Sequence, residues 1–343
     1  MNGREIFNAS LRGERTSRTP VFLFDLSLGM DVLGVPTTDL YSGGFNGKLG
    51  GKCIVALQKH LKNDALAGSY QSIDITAFGG KFAYPEYGIP YIAKPAVSEI
   101  DDLYRYSPSD IREHMQGSLD SFTTVRSGAP DVGLMMNIPA PLSTAMVLRG
   151  LQTFLMDLYL EPEFSKDMIS FAGDVSKNSI DVIAGNADID GVLLTAAYDN
   201  LDMIGPDAMK EFSFPGLRAS EKFIHGLGLP VMFHPHGALT SDDAATTVLD
   251  EMLDMGFDCL YYGETIDAAK IKEHADGKCA LCGGIDTFTT IYLGPDERVR
   301  SDVDRYLDHF TEYSGYIFSP SCSVDRGLPL RRMEKMMRTV RGH

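Results

Sequence analysis

The stretch LPVMFHPHGALTSDDAATTVLDEMLDMGFDCLYYG, residues 229–263, carries the pattern that decides the fold. It opens on LPVMFHP (229–235), a continuously apolar run without polar alternation, which predicts a strand buried on both faces. SDDAATTVLDEMLDMG (241–256) follows, with a Ser/Asp cap signal, apolar positions at helical spacing and a terminal glycine. FDCLYYG (257–263) then repeats the strand signal. Strand, helix and strand in this order predict neighbouring parallel strands.

The same alternation extends outward in both directions. TPVFLFD (19–25), SIDITAF (72–78), DVGLMMNI (131–138), DGVLLTAA (190–197), CALCGG (279–284) and GYIFSPS (315–321) read as further strands. TAMVLRGLQTFLMDLYL (144–160) reads as a helix between two of them. Eight strands alternating with helices predict an α/β fold, a (β/α)8 TIM barrel with N-terminal helical additions. Residues 40–120 are ambiguous and have room for extra helices. No linker, low-complexity segment or short repeat divides the chain, so 1–343 reads as one domain, a size common for a single barrel.

Composition narrows the function classes. A formal net charge of −16 argues against nucleic acid or an anionic membrane surface as the main partner. The N-terminus has no apolar signal-peptide core, and no run of about 18 apolar residues predicts a membrane span. Five scattered cysteines (Cys53, Cys259, Cys279, Cys282, Cys322) do not make a disulfide framework and fit a reducing cytoplasm.

In a barrel of this kind, chemistry gathers at the C-terminal ends of the strands. His234 and His236 stand there at i and i+2, with Pro235 stiffening the backbone between them. Two such imidazoles can converge on one metal ion. Other strand ends add Cys322, Glu264, Cys282 and Asp286, and His, His, Cys and a carboxylate form a plausible zinc set. A strand-end histidine is also commonly a hydrogen-bonded packing residue and a lone cysteine a small buried hydrophobe, so both readings stand at this point. Cys279 and Cys282 resemble a CxxC pair, but within a strand they face opposite ways. Cys53 and Cys259 read as packing.

Other motifs fail. GGFNGKLGG (43–51) has Leu49 where a phosphate loop needs Ser or Thr, and its glycine spacing is wrong. No GxGxxG follows a strand, and Ser143 and Ser319 lack a nucleophile-elbow context.

Several stretches together resemble the uroporphyrinogen decarboxylase-like superfamily, in its branch of cobalamin-dependent, zinc-containing methyltransferases. These are REIFNASLRGERTSRTPVFLF (4–24), FGGKFAYPEYGIP (78–90) and MNIPAPLSTAMVLRG (136–150) in the first half. The more specific part is LPVMFHPHG (229–237), GGIDTFTTIYLGPDERV (283–299) and GYIFSPSCSVDRGLPLRRMEKM (315–336). Branch members such as the coenzyme M methyltransferases carry His-x-Cys at the first of these three places and a lone Cys at the third, and those residues hold zinc. The resemblance therefore implies zinc on His234, His236 and Cys322. Glu264, from its place at a strand–loop junction, is a further candidate ligand and catalytic group. His236 departs from the pattern, because it stands where the branch has cysteine. Replacing a thiolate by a neutral imidazole raises the site's net charge by about one and makes the metal a stronger Lewis acid.

That shift favours loss of a methyl group from an ether or hydroxyl oxygen over its arrival at a thiol. The resemblance further implies a corrinoid acceptor on a separate protein with a DxHxxG segment. This chain's nearest match, KEHADG (272–277), has Lys272 in place of the Asp. Phe24, Tyr84, Tyr198 and Tyr262 are candidate walls for the small methylated substrate, and Asp199 is a candidate for orienting a ligand histidine. The expected partners are that substrate and a corrinoid-binding protein, with a homodimer as the assembly to test. The parent decarboxylases carry an RxAGR-type segment that binds substrate carboxylates, which is missing here. A scaffold that only binds a corrinoid protein is the non-catalytic alternative.

Overall fold

The computed structural model describes residues 1–87 and 90–343; Gly88 and Ile89, within the FGGKFAYPEYGIP stretch, lie outside the described residues. Among the described residues, ten strands follow in chain order: β1 (Phe22–Leu23), β2 (Ala65–Ala67), β3 (Lys81–Ala83), β4 (Tyr91–Lys94), β5 (Gly133–Pro139), β6 (Gly191–Ala196), β7 (Val231–Pro235), β8 (Cys259–Tyr261), β9 (Ala280–Gly283) and β10 (Tyr316–Phe318). Eight of them form one parallel sheet in the order β1-β2-β5-β6-β7-β8-β9-β10, and a parallel bridge from Val21 to Phe318 closes it. The expected barrel is therefore present. β3 and β4 form a separate antiparallel hairpin between β2 and β5.

The quoted stretch folds as read. Asp242 caps the helix Asp243–Leu253 by accepting from the Ala245 N–H, and Gly256 (φ 93°) makes the left-handed turn into β8. Two other readings are corrected. SIDITAF (72–78) is not a strand: Asp74 caps a 3-10 helix over Ile75–Phe78. The second barrel strand is the Ala-Leu-Ala of β2, too short and too rich in alanine to carry a strand signal. The helix expected over 144–160 is two, Pro141–Arg149 and Leu151–Leu160, because Gly150 (φ 90°) breaks it.

Alternation sends one set of side chains inward and the other against the surrounding helices. Met135, Leu193, Met232, Cys259, Tyr261, Cys282 and Ile317 fill the barrel, and the larger cluster lies outside it. The N-terminal helix Gly3–Leu11 closes the barrel floor with Phe7 and Leu11, and Phe7 stacks on Phe22 at 6.1 Å. Among the described residues, no helix is long and apolar enough to cross a membrane.

The registers also set heights along the barrel axis. Stepping strand to strand in chain order, the residue level with its neighbour lies one position beyond its register partner. The circuit closes with a shear of about eight residues, as this barrel type requires. By that rule Phe24, just past β1, Asn137 of β5 and His234 of β7 share one inward layer at the mouth.

Candidate metal centre

His234 follows Met232 inward on β7 and is 1% exposed. Pro235 and Gly237, the latter at φ 97°, turn the chain out of the barrel, which brings the half-buried His236 back over His234. Cys322 arrives from the loop after β10. Its N–H donates to Thr287 Oγ1 at 3.2 Å, and the Thr287 N–H donates to Ser321 Oγ at 3.1 Å.

The three side chains converge, their ligand atoms all within 4.8 Å of one another. His236 Nε2 is 3.1 Å from His234 Nε2, and Cys322 Sγ lies 3.6 and 3.8 Å from the same two nitrogens. A tetrahedral zinc with bonds of about 2.0–2.1 Å to nitrogen and about 2.3 Å to sulfur spaces its ligands about 3.3–3.6 Å apart. The donor triangle fits such an ion.

Tyr261 prepares the first ligand. Its carbonyl oxygen is 2.7 Å from His234 Nδ1, which assigns the proton to Nδ1 and leaves Nε2 as a lone pair facing the cluster. Its ring stacks on the imidazole at 4.1 Å, and Phe24 meets the same imidazole edge-on at 6.3 Å. The Tyr261 hydroxyl is held by the loop that carries Cys322, 2.7 Å from the Pro320 carbonyl and 3.1 Å from that of Cys322.

Protonation follows from burial. Burial and the neighbouring His236 push His234 down to about 3, and burial also lowers His236 against the opposing pull of Glu264. Both imidazoles are therefore neutral donors at neutral pH. Burial pushes the Cys322 thiol up to about 11. A divalent cation arriving here would displace that proton, as metal-bound thiols require.

The remaining sequence candidates lie elsewhere. Glu264 is on an exposed loop, close enough to act electrostatically on His236 and Cys322 but outside the converging group. Cys282 is in the barrel interior beside Ser319, and Asp286 caps the segment Thr287–Tyr292 by accepting the Phe288 and Thr289 N–H groups. Asp199 does not orient a ligand histidine. Its two oxygens accept from Ser143 and Ser213 in a fully buried trio, and the group that orients His234 is the Tyr261 carbonyl.

Tyr262 is not a pocket wall. It alternates outward from Tyr261, 1% exposed, and packs near Phe310. Tyr198 is half-buried against the outer core, with its N–H donating to Ser143. Tyr84 does line a pocket, of about 50 Å³, with Tyr41 and Tyr70 among its walls; its ring stacks on Tyr41 at 3.9 Å. Tyr261 was missed in the sequence, although its parity within FDCLYYG distinguishes it from Tyr262.

Asp25, fully buried at the end of the first strand, was missed as well. It accepts the Tyr70 hydroxyl at 2.8 Å and backbone N–H groups from Ser27 to Gly29, and burial raises it to about 7.

The chain matches the uroporphyrinogen decarboxylase (URO-D) family over residues 2–343. Among curated relatives, a uroporphyrinogen decarboxylase of Paraburkholderia phytofirmans is 24% identical over 279 residues, covering 78% of this chain and 72% of the relative. One of Paraburkholderia xenovorans is 25% identical over 280 residues, with the same shares. Among solved structures, a methyltransferase from Methanosarcina mazei superposes with a TM-score of 0.86 at 19% identity, covering 100% of this chain and 99% of that one. A match running nearly end to end, on a barrel of the same architecture, identifies this chain as a member of the uroporphyrinogen decarboxylase family.

Proposed function

We propose that the chain is a zinc-dependent corrinoid methyltransferase. In this reading it moves a methyl group from a small methoxylated substrate to the cobalt of a corrinoid carried by a partner protein. The observation that carries it is the donor triangle of His234, His236 and Cys322 at the barrel mouth. Bound there, zinc would act as a Lewis acid on the oxygen that the methyl group leaves. One thiolate and two neutral imidazoles leave the ion a net positive charge, which suits an oxygen leaving group better than a set with two thiolates. Three protein donors also leave a fourth position open, as catalytic rather than structural zinc sites do.

The chain's own residues have distinct tasks. Tyr261 fixes the tautomer and plane of His234. Thr287 holds the backbone of Cys322, and Phe24 offers an aromatic wall beside His234. Free thiols throughout the chain fit the expected cytoplasmic setting.

The curated relatives bear the name of decarboxylases, so that activity is the second reading. The mouth argues against it. Asp25 is a buried carboxyl there and Asp325 a half-buried one, and Arg326 is paired with Asp31 and Glu86. A substrate bound through several carboxylates would find the Arg326 cation already engaged by those two carboxylates.

Elemental analysis of the purified chain beside His236→Ala and Cys322→Ala tests the metal. About one zinc per chain, lost in each variant while circular dichroism stays native, is the expected result. Methyl transfer to a reduced corrinoid is then compared for methoxylated aromatics, and the reverse transfer is tried onto thiols. Turnover with thiols alone would replace this reading by a thiol methyltransferase. A wild type that neither carries nor accepts zinc would end both.

A further inference from the structure

The donor triangle is assembled from two segments of chain, and Tyr261, which is not itself a donor, touches both. It is fully buried at the end of β8. Its ring is gripped by His234, stacked at 4.1 Å, and by Phe22, edge-on at 5.8 Å. Its carbonyl and its hydroxyl go to different ligand-bearing segments.

The carbonyl goes to β7. The parallel ladder pairs Met232 with Cys259 and Phe233 with Leu260, so one further step would bring the N–H of residue 235 to the Tyr261 carbonyl. Residue 235 is proline and has no N–H to give. The acceptor left over takes the His234 imidazole instead, with Nδ1 at 2.7 Å. The proline between the two histidines therefore helps to aim the first of them.

The hydroxyl goes to the loop after β10, where three residues surround it. Ser319 Oγ donates to the phenol oxygen at 3.1 Å, and the phenol proton faces the carbonyls of Pro320 at 2.7 Å and Cys322 at 3.1 Å. The other hydroxyl near the Cys322 carbonyl, Thr287 Oγ1, is 3.5 Å from it. A phenol enclosed in an apolar interior needs its hydroxyl paired, whereas phenylalanine would fill the same space without that demand. Here the pairing fixes the backbone from which Cys322 Sγ reaches the two imidazoles.

We infer that Tyr261 is the positioning residue of the metal centre: its carbonyl aims His234, and its hydroxyl sets Cys322 at the distance one ion requires. The inference rests on the metal reading above and is independent of which methyl donor or acceptor is used. Groups that orient metal ligands govern affinity by about 10–100-fold. Because one residue serves both a nitrogen and the sulfur donor, the hydroxyl can be removed while the carbonyl and the ring stay.

Tyr261→Phe in the full chain is the test, read with zinc and with cobalt(II) as a coloured substitute. Bound by the wild type, cobalt should show a thiolate-to-metal charge-transfer band in the near ultraviolet, which reports the sulfur. In Tyr261→Phe, zinc should bind about 10–100-fold more weakly, measured by competition with a chelator. At saturating cobalt the charge-transfer band should also fall, because the hydroxyl acts through the sulfur. Ser319→Ala, which spares both carbonyl contacts, should weaken zinc by a smaller factor.

Wild-type zinc affinity in Tyr261→Phe would overturn the inference. So would weaker binding with an undiminished band per bound cobalt, the mark of a merely structural role. Should Tyr261→Phe fail to fold, unchanged zinc affinity in Ser319→Ala overturns it. The two proposals fail separately. An unaltered metal site in Tyr261→Phe leaves the methyltransferase standing, and a weakened one in a chain that transfers no methyl group leaves only the positioning role. A wild type that takes up neither ion ends both.

Discussion

Asp199 and His234 show how one physical force, burial, sets two different charge states at adjacent strand ends. Both are almost wholly enclosed, which raises the carboxyl to about 6 and lowers the imidazole to about 3, so each is driven toward its neutral form. For Asp199 this carries a pH signature. The folded carboxyl holds its proton more tightly than the value of 3.8 in an open chain. Its contribution to stability is therefore fullest below that value and is lost as pH rises toward about 6. The difference corresponds to roughly 3 kcal/mol.

Asp25, raised to about 7, acts in the same direction, so the informative quantity is a comparison of chains. Asp199→Asn should gain about 2–3 kcal/mol relative to wild type between pH 4 and pH 7.5, read from urea unfolding at both values. Parallel pH dependences in the two chains would show that Asp199 titrates normally. The sequence reading of Asp199 as a support for a ligand histidine failed for a physical reason: its position at a strand end is visible in the sequence, but its partners Ser143 and Ser213 lie 56 and 14 residues away.

The elements were legible where a strand is long and apolar and illegible where it is short. β5, β6 and β7 carry runs of five or six buried residues, and all three were read directly. β2 has three residues and was passed over, while the isoleucines around Asp74 gave a strand signal to a segment that caps a 3-10 turn instead. The packing of the first helix was also invisible, because it depends on a distant carboxylate. Asp190, at the foot of β6, accepts from Arg4, Asn8, Arg126 and the Leu134 N–H, at 2.7 to 2.9 Å. It fastens the helix Gly3–Leu11 beneath the barrel. Asp190→Ala should cost about 3 kcal/mol, at the low end for a broken buried pair because both arginines keep Asp188. Chemical denaturation measures this. Hydrogen exchange should show protection lost first in the floor helix, and a uniform loss across the barrel would contradict the latching role.

For the whole molecule, the donor triangle joins parts of the chain that no local pattern connects. His234 and His236 leave β7, whereas Cys322 follows β10, 86 residues after the nearer histidine. That the histidines end a strand was plain in FHPHG; that a cysteine so far along the chain faces them follows only from closure of the barrel. The same separation gives the site a measurable thermodynamic consequence. An ion held from both segments binds the folded chain and has no preformed site in the unfolded one, so it stabilises the fold by mass action. Free zinc at 100 times its dissociation constant should add about 2.7 kcal/mol. Spread over a chain of 343 residues, that gain raises Tm by a few degrees.

Differential scanning calorimetry with chelator and then with restored zinc reads the shift directly. Cys322→Ser should remove most of it by replacing the thiolate with a weak ligand, while leaving the metal-free Tm close to that of the wild type. The response should also fade as pH falls, because the ion must displace the proton of a thiol that burial has raised to about 11. Identical melting with chelator and with zinc would mean that the triangle holds no ion, and a shift that persists in Cys322→Ser would place the ion on other residues.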